Sequence, residues 1–121
     1  MTTALLVFAH GSRVESANEA VRSVAGALAR AGGYPIVEAA FLELGRPSLE
    51  EAADLVVAQG AGRILILPYF LTLGMHMERD LPKLVDAISN KHKDLAISVA
   101  APLDGHPGLV AILRERAEPL L

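Results

Sequence analysis

The stretch Arg63-Ile-Leu-Ile-Leu-Pro-Tyr-Phe-Leu-Thr-Leu-Gly-Met-His76 decides the fold, because it joins an apolar run to a histidine. The run begins with aliphatic residues at Ile64 and is stopped by Pro68. A continuous apolar run of this kind is typical of a strand that is buried on both faces, as in parallel sheets. Gly74 and His76 come after it. The stretch therefore predicts a central strand that presents a histidine at its carboxyl end.

The same pattern occurs once earlier, at the start of the chain. Residues 4–9 read Ala-Leu-Leu-Val-Phe-Ala, and His10-Gly-Ser-Arg13 follows them directly. The carboxyl ends of parallel strands lie at one edge of a sheet, so two neighbouring strands would bring His10 and His76 into one crevice. A single histidine after a strand is more often a loop residue than a ligand. Two of them at the same edge favour a functional site.

Strand and helix patterns alternate along the whole chain. Residues 35–41 and 95–102 predict the second and fourth strands, and a helix pattern follows each strand. The chain is too short to hold two domains comfortably, so residues 1–121 are predicted to form a single domain. The alternation predicts an α/β fold, with a four-stranded parallel doubly wound sheet in the order 2-1-3-4 and helices on both faces. Strands one and three are then neighbours, and the crevice between their carboxyl ends is the place where such sheets bind ligands.

Capping boxes predict where two of the helices begin. Ser16 with Glu19 predicts the start of the first helix, and Ser48 with Glu51 predicts the start of the second. Pro82 is predicted to lie in the first turn of the third helix, where a proline is tolerated. Apolar residues of the first helix recur at spacings of three and four, which predicts the face that packs on the sheet. These residues are Ala17, Val21, Val24, Leu28 and Ala31.

The charge balance excludes a general attraction to polyanions. Lysine and arginine total 11 against 14 aspartate and glutamate residues, which gives a net charge of -3 and an isoelectric point near 5.7. We therefore expect neither nucleic acid nor an anionic membrane surface as a partner. An anionic ligand would need a local cluster of cations, for which surface solubility is the alternative explanation. The cations at the predicted ligand end are Arg13, Arg46, Arg79 and Lys83.

The composition predicts a soluble protein of a reducing compartment. Cysteine is absent, so disulfides, thiolate metal sites and cysteine nucleophiles are excluded. No apolar segment approaches the roughly 18 residues of a membrane span, and the amino terminus lacks the pattern of a secretory signal. These features predict a cytoplasmic location. Hydrophobic residues make up 52% of the chain but aromatic residues only 4%, a composition that also suggests a buried subunit interface.

Two histidines and a carboxylate indicate a particular class of metal ion. Glu43 follows the second strand, which the predicted order places beside the first, so it can reach the crevice that holds His10 and His76. Neutral imidazoles with one carboxylate bind cobalt, nickel, iron or zinc in preference to calcium or magnesium. Incomplete ligation by the protein leaves positions open for a substrate.

The other two histidines are interpreted as lying outside the site. His92 lies in the charged connection Asn90-Lys-His-Lys-Asp94, which is typical of a solvated loop. His106 follows the fourth strand at the far side of the sheet, and we interpret it as a residue at the start of a helix.

Two other functions are disfavoured by the turn after the first strand. Nucleotide binding is disfavoured because this turn is His-Gly-Ser-Arg, and neither G-x-G-x-x-G nor G-x-x-x-x-G-K-[ST] occurs. A histidine phosphotransferase of the phosphatase type is disfavoured because Ala9 precedes His10, where that motif has an anion-binding arginine.

Four motifs occur together along nearly the whole chain. They are Leu-Leu-Val-Phe-Ala-His-Gly-Ser-Arg at 5–13, Ala-Phe-Leu-Glu at 40–43, Leu-Pro-Tyr-Phe-Leu-Thr-Leu-Gly-Met-His at 67–76 with Asp80-Leu-Pro82, and Ala-Pro-Leu-Asp-Gly-His-Pro at 101–107. In this combination the chain resembles the sirohydrochlorin chelatase family of the CbiX type. The resemblance implies a single chelatase-like lobe and a class II chelatase that uses neither ATP nor another nucleotide. It also implies insertion of Co2+, Fe2+ or Ni2+, as a substrate, into sirohydrochlorin during cobalamin or sirohaem biosynthesis.

The resemblance assigns roles to residues by their position in these motifs. His10 and His76 match the two active-site histidines of the family, and Glu43 matches a carboxylate that assists metal binding. We therefore expect these three side chains to hold the metal ion and a histidine to accept the pyrrole protons. Sirohydrochlorin is a polycarboxylate, so cations and hydroxyl groups near the site are candidate contacts to it. They are Ser12, Arg13, Arg46 and Lys83.

The length of the chain bears on its assembly. Most bacterial members of the family contain two such halves that close over the substrate, whereas this chain resembles the short form that works as a homodimer. The resemblance therefore implies a second copy of the chain as a partner. A protein that carries a metal or a tetrapyrrole without catalysis is the alternative function, because it would contain the same pair of histidines.

Overall fold

The computed structural model describes residues 1–121, which form alternating strands and helices. The elements are β1 (Thr2–Ala9), α1 (Glu15–Gly32), β2 (Ile36–Phe41), α2 (Leu49–Ala58), β3 (Ala61–Pro68), α3 (Met75–Lys91), β4 (Ala96–Val99) and α4 (Gly108–Ala117), followed by a short 3-10 turn at Glu118–Leu120. All strands pair in parallel, in the order β2-β1-β3-β4. The predicted α/β fold and strand order are therefore confirmed.

The register places the ends of the three longer strands side by side. Ala9, the last residue of β1, pairs with Phe41, the last residue of β2. Phe8 pairs with Pro68, the last residue of β3. Because the three strands end almost level, the loops that follow them leave the sheet at the same edge. This carboxyl edge carries residues 10–14, 42–48 and 69–74.

Both faces of the sheet are covered, because successive side chains of a strand point to opposite faces. On one face, Leu6, Phe8 and Ile66 are fully buried and pack against α2 and α3. On the other face, Val7 and Phe41 pack against α1. Burying a side chain of this size contributes about 1.5–3 kcal/mol. The strands at the centre of the sheet are thus held firmly, which gives the carboxyl edge a rigid base.

The first helix differs from its prediction at both its start and its buried face. It begins at Glu15 after Val14, and no side chain caps it, so the predicted capping box at Ser16 is wrong. The buried residues are Asn18, Val21 and Ala25, while the predicted stripe members Ala17, Val24 and Ala31 are exposed. The apolar pattern predicted that Ala17 would face the sheet. In the structure its polar neighbour Asn18 takes that buried position.

The second and third helices test two other local predictions. The capping box at Ser48 is confirmed, since Ser48 N–H donates to Glu51 Oε1 at 2.9 Å and Glu51 N–H donates to Ser48 Oγ at 3.1 Å. The prediction for Pro82 is wrong, because α3 begins earlier, at Met75, and Pro82 lies inside the helix. A proline there lacks the N–H that would bond to the carbonyl of Glu78. Pro82 is exposed.

The carboxyl-terminal part of the chain is packed differently from the rest. The predicted last helix is confirmed as α4, but none of its residues is buried. The strand before it, β4, is short and lies at the edge of the sheet, and most of its residues are exposed. No helix of the protein is both long and apolar enough to cross a membrane.

Candidate functional site

His10 and Glu43 are brought together by the backbone hydrogen bonds between β1 and β2. The ladder continues beyond the strands, as Leu42 N–H donates to Ala9 O at 2.9 Å and Glu43 N–H donates to His10 O at 3.0 Å. As a result, the His10 side chain lies with its Nε2 atom 3.8 Å from Glu43 Oε1. The two side chains are 58% and 59% exposed, so the pair is open to solvent. Two of the predicted metal ligands are thus adjacent.

Gly11 allows the two loops to approach this closely. Its φ is +96°, a conformation that glycine adopts far more readily than other residues. A Cβ atom at this position would lie 1.7 Å from the carbonyl oxygen of Glu43. Any other residue would therefore push the loop after β1 away from the loop after β2. The glycine of the His-Gly-Ser-Arg turn is required by the geometry of the site.

The hydrogen bonds of His10 leave one ring nitrogen free. His10 Nδ1 lies 3.4 Å from the carbonyl oxygen of Gly11, which can only accept a hydrogen bond. The other ring nitrogen, Nε2, lies on the side of Glu43. Two ligand atoms that are each about 2.1 Å from one metal ion can lie up to roughly 4.2 Å apart. A separation of 3.8 Å therefore lets both side chains contact the same ion.

His76 lies in the first turn of α3, after Gly74, and is exposed. Its Nδ1 atom is 2.9 Å from Nη2 of Arg79. Arginine only donates hydrogen bonds, so the lone pair of His76 Nδ1 is occupied in this arrangement. No group of three histidine, cysteine, aspartate or glutamate side chains lies close enough to hold a metal ion. The three-ligand site of His10, Glu43 and His76 is not assembled here and stays a prediction.

The candidate contacts to an anionic substrate have different surroundings. Ser12 Oγ accepts a hydrogen bond from Val14 N–H at 3.0 Å, and its own hydrogen remains able to donate. Arg13 is exposed beside it. Arg46 is bonded to Glu51, so its charge already has a partner. The exposed Lys83 lies on α3, seven residues after His76 and so on the same face of the helix.

Asn18 is a residue of this region that sequence reasoning missed. It is 1% exposed and is bonded to the backbone of both loops beside the site. The apolar positions Val21, Ala25 and Leu28 contained the signal. These residues are spaced by four and then three positions, so the preceding member of the alternation lies three positions before Val21. That position is Asn18 and not Ala17. A polar residue at such a position predicts a buried hydrogen-bonding group.

The other two histidines, His92 and His106, each have a hydrogen-bond partner of their own. His106 is confirmed as a residue at the start of a helix, since its Nδ1 accepts a hydrogen bond from Gly108 N–H at 2.8 Å. His92 lies between α3 and β4, at the amino edge of the sheet. The solvated-loop prediction for His92 is wrong, because its side chain is only 20% exposed and its Nε2 lies 2.7 Å from Asp54 Oδ1. A partner from another helix holds it in place.

The fold and the site together define a class of protein. It is a parallel, doubly wound α/β protein with an open pair of imidazole and carboxylate at the carboxyl edge of the sheet, beside the topological switch point. The sequence matches the family model described as CbiX over residues 4–120. The chain therefore belongs to the CbiX family.

Individual relatives agree with this assignment. The chain is 38% identical over 117 residues to a sirohydrochlorin cobaltochelatase of Sulfolobus acidocaldarius, an alignment that covers 97% of this chain and 91% of that protein. It is 32% identical to a chloroplastic sirohydrochlorin ferrochelatase of Arabidopsis thaliana, over 97% of this chain and 52% of that protein. The chain thus spans nearly all of one relative and about half of the other.

A solved structure shows the same relationship in three dimensions. The sirohydrochlorin chelatase SirB of Bacillus subtilis subspecies spizizenii, in complex with cobalt, superposes with a TM-score of 0.91 at 27% identity. The match covers 98% of this chain and 51% of the SirB chain. The predicted single chelatase-like lobe is confirmed by this similarity.

Proposed function

We propose that the protein is an enzyme that inserts a divalent metal ion into sirohydrochlorin. Membership of the CbiX family and similarity to a cobaltochelatase and a ferrochelatase of this substrate support the proposal. The observation that carries it is the 3.8 Å separation of His10 Nε2 and Glu43 Oε1 in an open position. At this separation an imidazole and a carboxylate can together hold a metal ion that is later transferred to the substrate.

The chemistry of metallation fits this pair. The enzyme must deliver a partly dehydrated ion to the macrocycle and remove the inner pyrrole protons. An imidazole can act as a metal ligand and as a proton acceptor, and the carboxylate compensates part of the charge of the ion. Few protein ligands leave coordination positions for the pyrrole nitrogens. We propose that His10 and Glu43 receive the ion, and that His76 joins them when Arg79 releases its ring.

The proposal extends to the metal and the pathway. Nitrogen and oxygen ligands without thiolates suit Co2+, Fe2+ and Ni2+ as substrates. Insertion of cobalt would serve cobalamin biosynthesis, and insertion of iron would serve sirohaem biosynthesis. The reaction needs no nucleotide in this proposal, since the protein has neither of the phosphate-binding glycine motifs. The absence of cysteine supports a location in the reducing cytoplasm.

The carboxylates of sirohydrochlorin would be held by residues of the carboxyl edge. We propose Arg13, Ser12 and Lys83 as direct contacts, because they are free to donate hydrogen bonds to an anion. Arg46 would join them by exchanging its bond to Glu51 for a bond to the substrate. Local cations of this kind are needed, because the protein as a whole has a net charge of -3.

We further propose that the active form is a homodimer in which α4 contacts the second copy. Large apolar side chains of this carboxyl-terminal part face solvent in the single chain, which is unfavourable unless a partner covers them. Their exposed fractions are 62% for Val110, 50% for Ile112, 69% for Leu113, 86% for Leu120 and 96% for Leu121. A second copy would also supply the half that the longer SirB chain contains beyond the matched part.

Turnover tests the proposed function against the alternative of a carrier. Purified protein is mixed with an excess of sirohydrochlorin and Co2+, and the absorbance of the macrocycle is followed, with the uncatalysed rate subtracted. We expect product to exceed the amount of protein many times. Product that stops at one equivalent of protein would instead support a carrier. The variant His92→Ala serves as a control for histidine loss, because His92 lies at the opposite edge of the sheet.

A further inference from the structure

Asn18 joins the loop that carries His10 to the loop that carries Glu43. Its Oδ1 accepts a hydrogen bond from Ser12 N–H at 2.9 Å. Its Nδ2 donates to Ser12 O at 2.8 Å and to Leu44 O at 3.0 Å, and lies 3.3 Å from Glu15 Oε2. With 1% exposure, Asn18 is the one buried polar residue of the chain.

The backbone alone does not hold the two loops beyond this point. The last hydrogen bond of the ladder runs from Glu43 N–H to His10 O. Leu44, the next residue, has a φ of +57°, a left-handed conformation that other contacts must stabilise. Its carbonyl is the group that Asn18 binds.

Gly45 makes room for this contact. A Cβ atom at Gly45 would lie 3.2 Å from Asn18 Nδ2 and 2.9 Å from the ring of Phe41. Glycine at this position therefore lets the loop after β2 close onto the Asn18 amide. The amide thus bridges two backbone segments that have no direct bond to each other past His10 and Glu43.

We propose that Asn18 is a positioning residue for metal transfer, which keeps His10 Nε2 and Glu43 Oε1 within reach of one ion. It acts through the loops, since its side chain is buried and bonded to their backbone. This inference rests on the proposed function, because the pair matters only if it holds a metal ion. Groups that orient metal ligands typically affect metal affinity or activity by roughly 10- to 100-fold when they are removed.

The variant Asn18→Ala tests the proposal, and Val21→Ala is its matched control. Val21 lies on the same buried face of α1, one turn further along, and belongs to the apolar cluster between α1 and the sheet. Truncation of either residue removes packing from the same helix, but only Asn18→Ala releases the two loops. The probe is Co2+ itself, whose visible absorption on binding gives both a dissociation constant and a signature of the ligand geometry.

We expect Asn18→Ala to weaken Co2+ binding by roughly 10- to 100-fold and to alter the Co2+ spectrum. The KM for Co2+ should rise, and the KM for sirohydrochlorin should rise with it, because the proposed substrate contacts Ser12 and Arg13 lie in a loop that Asn18 holds. Val21→Ala should lower thermal stability and leave the Co2+ spectrum unchanged. The proposal is overturned if Asn18→Ala binds Co2+ as the wild type does, or if Val21→Ala weakens binding equally.

Two further measurements keep the outcome decisive. If Asn18→Ala does not fold, Gly45→Ala displaces the same amide from the side of the loop and must weaken Co2+ binding in the same way. If the wild type binds Co2+ tightly but does not metallate sirohydrochlorin, the proposed function fails, and the Co2+ dissociation constants alone decide the role of Asn18.

Discussion

Glu43 donates its backbone N–H to the carbonyl oxygen of His10 at 3.0 Å, and the side chains of the same two residues face each other 3.8 Å apart. The backbone bond fixes the spacing of the two loops, so the side chains meet without needing a bond of their own. A metal ion can therefore enter between Nε2 and Oε1 without breaking any hydrogen bond of the fold. This arrangement suits an ion that has to be accepted and then released.

The close approach at Gly11 makes a first prediction. Gly11→Ala places a Cβ on the carbonyl oxygen of Glu43 and should separate the two loops. A displacement of about 1 Å can cost roughly 100-fold in rate, so we expect a loss of at least that size in metallation. Gly60→Ala is the matched control, because Gly60 also has a positive φ, of +102°, but has open space around it. It should lose stability through backbone strain and keep its activity; an equal loss of activity in both variants would contradict this explanation.

The histidines give a second prediction. His10→Ala and His76→Ala should each lower the enzyme-dependent rate by about 100-fold or more, because each removes a proposed metal ligand and proton acceptor. Both side chains are exposed, so thermal unfolding should hardly change. His92→Ala should show the reverse, with the rate retained and stability reduced by loss of the bond to Asp54. Steady-state rates and melting curves of the three variants check this. A rate that falls in His92→Ala would contradict a site at the carboxyl edge of the sheet.

The contact of Arg79 with His76 leads to a third prediction, in which two affinities change in opposite directions. Arg79→Gln removes a positive charge from beside His76, a proposed metal ligand, and the repulsion between a unit charge and a divalent ion is worth about 1 kcal/mol at roughly 8 Å in water-like surroundings. Co2+ binding should therefore tighten by about fivefold. The KM for the anionic substrate should rise by a similar factor. Lys93→Gln, which removes a cation at the amino edge, should change neither constant; weaker Co2+ binding in Arg79→Gln would refute the idea that Arg79 competes for the ring.

Assembly provides a fourth prediction. Leu113→Glu puts a charge on the apolar surface of α4, where Leu113 is 69% exposed in the single chain. The monomer should tolerate this change, but burying the unpaired charge in an interface costs several kcal/mol. We expect the dissociation constant of the proposed dimer to rise at least about 100-fold, as measured by sedimentation. Leu55→Glu, at a 49% exposed apolar residue of α2, is the control and should remain dimeric. A wild type that is fully active as a monomer would remove the need for this interface.

Much of the fold could be predicted because the information is local. Continuous apolar runs such as residues 4–9 identify buried strands wherever they lie, and the alternation with helices limits the order of the sheet. The proximity of His10 and Glu43 followed from that order alone. What could not be predicted depends on tertiary contacts. Asn18 is buried because two loops supply its hydrogen-bond partners. The helix that carries it begins at Glu15 and not at the predicted capping box.

The fate of the last helix illustrates the same limit. Leu109, Ile112 and Leu113 have helical spacing, and α4 does form over Gly108–Ala117. The spacing says nothing about which surface the apolar face will meet. In the single chain it meets none, since no residue of α4 is buried. The apolar spacing therefore predicts the helix and its apolar face. It does not predict which other surface packs against that face.

The ion pair at the amino edge makes the last prediction, which concerns stability and pH. Hydrogen bonds from Lys91 and then His92 lower the pKa of Asp54 below its ordinary value, and the bond to Asp54 raises the pKa of Lys91. A carboxylate with a lowered pKa in the folded state adds stability above its unfolded pKa of about 3.9, and this is lost as pH falls through the folded value. For Lys91 the contribution is present below about pH 10.4 and is lost as pH rises through the raised pKa.

Wild type should therefore exceed Asp54→Asn in free energy of unfolding between about pH 5 and pH 10, and the two should converge in stronger acid. The gap should be modest and should shrink with salt, because the Asp54 side chain is 37% exposed. Urea unfolding across a pH series measures it. Asp86→Asn, at an exposed carboxylate of α3, is the control and should show no such gap. A difference that persists unchanged at pH 2 would mean that Asp54 stabilises the fold through packing and not through its charge.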